Sequence, residues 1–250
     1  MTTNLQGDVA FVTGTTSGLG RRFAQVLAEH GASVALTGRR ADRLEELASE
    51  IRAAGGTATP IPLDVTDADA CIAAMQTAED ELGPVSILVN NAGIPDAQYA
   101  AKMPIELIDA VLDTNLRGPF VLSCELARRL MARKAPGRIV NISSMGAFSY
   151  AGGGAALYSI TKAAIVRMTE TLAVEWARFG INVNAIAPGA FASEMMDGML
   201  ERVGDITRGF PRKRLGDPSQ LDSSLLYLVS PESEFVTGTV LKVDDGQGSR

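Results

Sequence analysis

The sequence predicts a three-layer, doubly wound α/β domain built on a single seven-stranded parallel sheet. Short β-branched segments alternate with longer amphipathic segments along almost the whole chain, which is typical of a parallel sheet with helices on both faces. A glycine-rich turn lies between the first predicted strand and the first predicted helix. The chain has 250 residues, of which 46% are hydrophobic, enough for one large core. We therefore expect a single domain over residues 1–250.

Two periodicities place the elements in order. Runs rich in β-branched and apolar residues predict strands at 8–13, 33–37, 57–63, 85–90, 137–143, 181–187 and 238–243. Apolar residues at helical spacing predict six major helices at 19–30, 41–54, 68–82, 104–133, 155–179 and 219–229. The stretch 190–217 is irregular around a possible short helix at 193–203. A stretch of this length predicts a substrate lid.

Composition excludes several classes of function. A net charge of −6 and a pI near 4.9 argue against a nucleic-acid partner, because phosphate backbones require a surplus of Lys and Arg. Cys71 and Cys124 have no metal-ligand spacing, so no metal site is expected. No apolar run approaches the ~18 residues of a membrane span and no signal peptide is visible, which predicts a cytoplasmic protein without a membrane partner. The lone histidine, His30, excludes Ser-His-Asp chemistry.

The turn after the first predicted strand has the composition of a phosphate-binding loop. Gly14 and Gly18 permit a tight turn and a close approach of backbone amides to a pyrophosphate, and Gly20 permits close packing of helix on strand. The amino terminus of the following helix adds its dipole and its free N–H groups. Thr16, Ser17 and Leu19 complete this cofactor-binding turn.

Tyr158 and Lys162 are candidate catalytic residues. They lie four residues apart in a predicted helix and therefore share one helix face. An ammonium at that spacing can lower the pKa of the phenol from its usual value of about 10. Tyr158 is thus a plausible general acid and base near neutral pH.

Six motifs in a fixed order resemble those of the short-chain dehydrogenases/reductases. They are Thr13–Gly20 as TGxxxGxG, Asn90–Gly93, Asn115, Ile142–Ser144, Tyr158 and Lys162 as YxxxK, and Pro188–Gly189. The resemblance spans Gly7 to Gly246, and the length is similar to that of the classical subfamily. It implies a Rossmann fold and an oxidoreductase that interconverts a carbonyl and an alcohol by hydride transfer with a nicotinamide cofactor.

The resemblance also implies four catalytic roles. Tyr158 would exchange a proton with the substrate oxygen, and Lys162 would hold the nicotinamide ribose and favour the phenolate. Ser144 would donate to the substrate oxygen, with Ser143 open as the alternative because Ser144 lies one residue further from Tyr158 than is common in the family. Asn115 would bind a water that links Lys162 to solvent.

The end of the second predicted strand indicates the cofactor. Arg39 and Arg40 follow it, and no acid stands where an NAD enzyme would bind the ribose 2′-hydroxyl. Guanidinium groups hold a 2′-phosphate well, which predicts NADP(H) rather than NAD(H). One alternative and one opposing observation remain. The arginines could be solvated residues that open a helix, and Ser17 stands where many NADP-preferring relatives carry a basic residue.

The resemblance implies further contacts with the dinucleotide. They are Asp64 and Val65 at the adenine, Asn91, Ala92 and Gly93 at the adenosine ribose, and Pro188, Gly189, the Phe191 backbone and the Ser193 hydroxyl toward the nicotinamide. For Asp64 a turn or cap role is the alternative, although Asp67 is the better helix cap.

Apolar side chains beside the catalytic segments predict a hydrophobic ketone or secondary alcohol as substrate. They are Met145, Phe148, Tyr150, Phe191, Met195, Met196 and Met199, and the substrate site is assigned to Ser144, Met145, Tyr150, Tyr158 and Met195. A core role for the methionines remains open. Basic residues around the lid, Arg202, Arg208, Arg212, Lys213 and Arg214, leave 3-oxoacyl thioester reduction as an alternative.

A catalytically silent NADP(H)-binding sensor is the alternative from another class. The complete set of predicted catalytic residues opposes it, because a pure binder needs no positioned proton donor. The helices around 104–133 and 155–179 are similar to the faces by which the family forms oligomers, which implies a homotetramer or homodimer.

Overall fold

The computed structural model describes residues 3–150 and 152–248. The single-domain prediction over 1–250 also includes residues 1, 2, 151, 249 and 250, which lie outside the described part. Seven strands form one sheet: β1 (Val9–Thr13), β2 (Ser33–Gly38), β3 (Thr57–Pro62), β4 (Ile87–Asn90), β5 (Gly137–Ile142), β6 (Ile181–Pro188) and β7 (Val240–Val243). All pairs are parallel and the order is β3-β2-β1-β4-β5-β6-β7. The predicted fold class is confirmed.

Within the described ranges, eight α-helices connect and cover the strands. They are α1 (Gly18–Glu29), α2 (Ala41–Ala53), α3 (Ala68–Leu82), α4 (Ile105–Leu112), α5 (Gly118–Arg133), α6 (Ala156–Trp176), α7 (Glu194–Val203) and α8 (Asp222–Val229). The short helix expected at 193–203 is α7. None of these helices is long and apolar enough to cross a membrane.

Strand β1 shows how the sequence divides the core between the two faces of the sheet. Ala10 and Val12 belong to the buried cluster that contains residues of α1, α2 and α8. Val9 and Phe11 belong to the cluster that contains residues of α3, α5 and α6. Successive side chains of a strand point to opposite faces, so an unbroken apolar run fills both clusters.

The helix predicted over 104–133 is interrupted. A π-helical segment, Asp113–Arg117, lies between α4 and α5. In a regular α-helix the N–H of residue 119 would donate to the carbonyl of Asn115, but Pro119 has no N–H. The expectation of one uninterrupted α-helix is therefore wrong at the turn that carries Asn115.

The strand order fixes where a ligand can bind. From β1 the chain continues to β2 and β3 on one side, whereas from β4 it continues through β5, β6 and β7 on the other. Ligands of such sheets bind outside the carboxyl ends of the strands at this switch point. Gly14, Gly93, Ser144 and Gly189 follow β1, β4, β5 and β6, which places all four at that edge of the sheet.

Candidate active site

The glycine-rich turn is closed so tightly that side chains would not fit. Gly14 and Gly18 have φ values of 70° and 53°, in the left-handed region that favours glycine. A Cβ on Gly20 would lie 2.2 Å from the Gly14 oxygen and 2.3 Å from Asn91 Nδ2. Helix α1 therefore packs directly against the backbone of the turn.

The loops after β1 and β4 are joined by hydrogen bonds. The Thr13 hydroxyl accepts from the backbone N–H groups of Asn91 and Ala92, both at 3.0 Å. Asn91 Nδ2 donates to the carbonyls of Thr13 at 2.9 Å and Gly14 at 3.1 Å. The predicted ribose-binding segment is thus fixed against the predicted phosphate-binding turn.

The amino terminus of α1 is suited to an anion. Its N-cap residue, Ser17, makes no capping hydrogen bond with its side chain, and the first turn holds no acidic residue. Uncapped N–H groups at a helix start are the usual binding site for phosphate. Together with the space left by Gly14 and Gly18, this turn fits the pyrophosphate of a dinucleotide.

The two candidate 2′-phosphate ligands have different surroundings. Arg40 donates to Thr16 Oγ1 at 2.8 Å and Ser17 Oγ at 3.1 Å, and pairs with the Glu194 carboxylate at 3.0 Å. Arg39 is exposed and makes no ion pair or side-chain hydrogen bond within the described ranges. The sequence did not indicate the contact with Glu194, which links the start of α2 to the start of α7.

Asp64 and Val65 follow β3. The Asp64 carboxylate accepts from the N–H and hydroxyl of Thr66, at 3.0 and 2.9 Å, and so stabilises a turn. Asp67 caps α3 by accepting from the Ala70 N–H at 2.9 Å, as expected. The turn role considered for Asp64 is therefore present, and its adenine contact stays a prediction.

The predicted nicotinamide-side residues lie at the start of the segment predicted to be a lid. The Gly189 N–H donates to the Val243 carbonyl at 2.9 Å, directly after Pro188 ends β6. Phe191 is buried against Gly216, and the Ser193 hydroxyl caps α7 by accepting from the Met196 N–H at 3.2 Å. Both ends of the segment 190–217 are thereby anchored.

Lys162, Asn115 and Gly93 converge beneath the switch point. A Cβ on Gly93 would lie 3.4 Å from both Asn115 Oδ1 and Lys162 Nζ. Lys162 is buried, its ammonium lies 5.6 Å from the Tyr158 ring centroid, and it donates to the Ile142 carbonyl at 2.8 Å. Burial lowers the pKa of Lys162 to about 8.

Two adjacent serines at the end of β5 have separate partners. The Ser143 hydroxyl is buried and donates to the Lys162 carbonyl at 2.8 Å. The Ser144 side chain lies near the Tyr158 side chain and acts to lower the pKa of that phenol. Gly146 lies close to both the Ser144 and the Tyr158 side chains: a Cβ on Gly146 would be 3.4 Å from Ser144 Oγ and 3.9 Å from Tyr158 Cε1. This geometry favours Ser144 over Ser143 as the residue facing a substrate.

The pKa of Tyr158 is shifted in the direction opposite to the one predicted from the Tyr158 and Lys162 spacing. The pKa of Tyr158 is raised, mainly because its side chain is desolvated; the Ser144 side chain opposes the shift and the charge of Asp96 adds to it. Loss of hydration disfavours the charged phenolate. Tyr158 is consequently a phenol at neutral pH.

The Asn115 side chain makes three hydrogen bonds. Its Oδ1 accepts from the Ile94 N–H at 2.8 Å, and its Nδ2 donates to the Ile94 carbonyl at 2.9 Å and to Thr161 Oγ1 at 3.3 Å. Oδ1 retains a second lone pair, and the main-chain carbonyl of Asn115 has no helical donor from Pro119, so either oxygen offers an acceptor for the predicted water.

The predicted substrate residues differ in exposure. Met145 is buried next to Ser144, whereas Tyr150 and Met195 are 51% and 39% exposed. Any contact that these two make with a substrate is therefore at the rim of the crevice. Across the described chain, no three His, Cys, Asp or Glu side chains are grouped as a metal centre requires.

A doubly wound sheet with a glycine-rich turn and a Tyr-Lys pair at its carboxyl edge defines a nicotinamide-dependent oxidoreductase. The family model of the short chain dehydrogenases matches residues 8–203, and the chain belongs to this family. The expected family membership is confirmed.

Three relatives illustrate the range of the family. The chain is 37% identical over 246 residues to gluconate 5-dehydrogenase of Gluconobacter oxydans, covering 97% of this chain and 95% of that protein. It is 34% identical over 244 residues to a 3-oxoacyl-acyl-carrier-protein reductase of Vibrio cholerae, covering 97% and 98%. A variant of actinorhodin polyketide ketoreductase, solved with NADPH, superposes with a TM-score of 0.92 at 34% identity and covers 97% of this chain and 98% of that chain.

Proposed function

We propose that the protein is an NADP(H)-dependent oxidoreductase that interconverts a hydrophobic ketone and its secondary alcohol, with Tyr158 as general acid and base. The observation that carries this proposal is the Tyr158 phenol, beside the Ser144 side chain and close to the Lys162 ammonium, at the sheet edge that also holds the glycine-rich turn. The bound nicotinamide would supply or accept the hydride.

In the reducing direction, the phenol of Tyr158 donates its proton to the carbonyl oxygen. Its raised pKa keeps that proton in place at neutral pH, and the Ser144 hydroxyl donates a second hydrogen bond to the same oxygen. One Lys162 N–H is used by the Ile142 carbonyl, which leaves the others for the ribose hydroxyls. A water on the Asn115 carbonyl would carry a proton from solvent toward Lys162.

The proposed preference for NADP(H) is supported by Arg39. Its guanidinium has no partner among the described residues, and no acid ends β2. The relative solved with NADPH shows that the family accommodates the phosphorylated cofactor. Because Glu194 already occupies Arg40, we assign the 2′-phosphate mainly to Arg39, with Glu194 competing for Arg40.

Arg39→Ala is expected to lower kcat/KM for NADPH by about tenfold relative to NADH, the effect of losing one charged hydrogen bond. Glu194→Gln is expected to act in the opposite direction by about twofold to fivefold, since an exposed ion pair is weak. Steady-state kinetics with both cofactors measures these ratios.

Arg52→Ala is the matched control, because Arg52 is an exposed arginine at the opposite end of α2 that pairs with Glu45. This substitution should change kcat/KM for NADPH and for NADH by the same factor. A wild-type enzyme that prefers NADH would contradict the assignment of Arg39.

The substrate class is supported by the apolar surroundings of the site. Met145 is buried beside Ser144, and the lid begins with the buried Phe191. One observation favours 3-oxoacyl thioester reduction as a second candidate: the Lys242 ammonium lies 4.0 Å from the ring centroid of Phe148, a cation beside a predicted pocket residue. The Arg212 and Arg214 guanidiniums, in contrast, are paired with Asp245.

Loss of reduced-nicotinamide absorbance with a panel of substrates tests the proposed function. The panel contains aryl and cyclic ketones, a 3-oxoacyl thioester and a keto-sugar acid of the kind named by the gluconate relative. Preferential reduction of the ketones supports the proposal, and preference for the thioester supports the second candidate. Binding of NADPH without turnover of any carbonyl would indicate the silent sensor instead.

We also propose a cytoplasmic homotetramer or homodimer. Phe120 of α5 and Ile160 and Val174 of α6 are 47%, 62% and 81% exposed, and large apolar side chains in this position favour burial against another copy. Light scattering should give a mass of two or four chains, and a monomeric mass would contradict this assembly.

A further inference from the structure

A buried acid that lies outside the predicted site contacts the helix that carries Tyr158. Asp96 lies in the loop after β4 and is 3% exposed. Its Oδ2 accepts from the backbone N–H groups of Leu157 at 2.9 Å and Tyr158 at 3.1 Å, and its Oδ1 accepts from the Ala97 N–H at 2.8 Å. The carboxylate thus joins two segments about 60 residues apart in sequence.

Helix α6 has no local cap. Its N-cap residue is Ala155, whose side chain cannot accept a hydrogen bond. Leu157 and Tyr158 occupy the second and third helical positions, where the N–H groups have no partner within the helix. Asp96 supplies from a distant loop the acceptor that an N-cap side chain usually provides.

The loop that carries Asp96 is fixed from several sides. Ala97 has a φ of 49°, a left-handed conformation that is strained for a residue with a side chain. A Cβ on Gly154 would lie 3.2 Å from the Gln98 carbonyl carbon, so the segment leading into α6 packs directly on this loop. Two residues before Asp96, both backbone polar groups of Ile94 are bonded to Asn115.

We propose that Asp96 is a positioning residue, which caps α6 from the β4 loop, holds Tyr158 in register with Ser144 and keeps a negative charge near the phenol. This inference rests on the proposed function for its kinetic consequence. The charged groups that face Tyr158 are then the Lys162 ammonium from its own helix and Asp96 from the loop, while Ser144 contributes a neutral hydroxyl from the end of β5. In agreement, the Asp96 charge contributes to the raised pKa of Tyr158.

Two substitutions separate the geometric from the electrostatic role. Asp96→Asn keeps an oxygen for the α6 N–H groups and removes the charge, whereas Asp96→Ala removes both. Alcohol oxidation requires the phenolate, so Asp96→Asn should shift the acid limb of the kcat–pH profile toward lower pH by about half a unit or more. Asp96→Ala should lower kcat by about tenfold or more, with little change in the Kd for NADPH, because a displaced acid group slows chemistry rather than binding.

Amide hydrogen exchange tests the cap without any turnover. In Asp96→Ala the N–H groups at the start of α6 should exchange about tenfold faster, the effect of losing a helix cap, and in Asp96→Asn they should remain protected. Asp67→Ala is the control, since Asp67 caps α3 in the same manner and should leave α6 exchange and the pH profile unchanged.

The proposal is overturned if α6 exchange in Asp96→Ala equals that of the wild type, or if the pH profile of Asp96→Asn superposes on that of the wild type. If Asp96→Ala does not fold, Asp96→Asn alone decides through its profile. A wild type that turns over no carbonyl would contradict the proposed function, and the exchange experiment would still test the cap.

Discussion

Tyr158→Phe is expected to reduce turnover by about 10²–10⁴-fold, the usual contribution of a positioned general acid. The substitution removes one oxygen and retains the ring, which Lys162 approaches to 5.6 Å from the centroid. Because the phosphate-binding turn lies on β1 and α1, the Kd for NADPH should change by no more than about threefold, as expected for a group that acts in the transition state. Steady-state kinetics and fluorescence titration with NADPH measure the two quantities.

Tyr227→Phe is the matched control, because Tyr227 is 47% exposed on α8. It should retain wild-type kcat and Kd. A Tyr158→Phe enzyme with most of the wild-type kcat would contradict the role given to the phenol, and a large loss of NADPH binding would show that the ring itself holds the cofactor.

Gly20→Ala is expected to weaken dinucleotide binding and to destabilise the fold. The added methyl group would overlap the Gly14 carbonyl oxygen at 2.2 Å and Asn91 Nδ2 at 2.3 Å. Relief of the overlap moves α1 away from the turn, at a cost of about 1–3 kcal/mol typical of overpacking. Thermal unfolding and NADPH titration should show a lower Tm and an increase in Kd of about tenfold or more, since about 1.4 kcal/mol corresponds to tenfold.

Gly198→Ala provides the comparison. Gly198 lies within α7 and no atom would lie within 4 Å of an added Cβ. Alanine in a helix interior should preserve or raise the Tm. An unchanged Tm and Kd for Gly20→Ala would mean that the turn is looser than the structure shows.

Alternation of elements was sufficient to predict the sheet and most of its helices. The apolar run of β1 and the glycines that follow it predicted the position of the first βα turn. The order of the motifs along the chain predicted that Gly93, Ser144 and Gly189 lie at the carboxyl edge of the sheet. These features depend on local periodicity and turn chemistry, which a sequence shows directly.

Contacts between distant segments were not predictable in the same way. Nothing in the residues around Asp96 indicates that its carboxylate reaches α6, and the pairing of Arg40 with Glu194 joins residues 154 positions apart. The interruption of the helix at the π-helical segment could have been predicted from Pro119, because proline lacks the N–H donor that a continuous helix needs. The helical spacing of apolar residues across 104–133 instead favoured one continuous helix.

The sign of the Tyr158 shift also required the fold. Spacing along a helix shows that an ammonium is near the phenol, but it does not show how much water either group loses. In the structure, burial lowers the pKa of Lys162 to about 8 and raises the pKa of Tyr158. Tyr158 is therefore protonated and can act as a proton donor. The positive charge of an oxidised nicotinamide would be needed to stabilise the phenolate, the form that acts as a base.

The most direct test is a single turnover. Enzyme saturated with NADPH is mixed rapidly with a ketone that the wild type reduces, and the loss of reduced-nicotinamide absorbance is followed at several pH values. A proton donated by Tyr158 predicts a fast phase that slows at alkaline pH as the phenol ionises, and that disappears in Tyr158→Phe. A fast phase of wild-type rate and pH dependence in Tyr158→Phe would show that another group donates the proton.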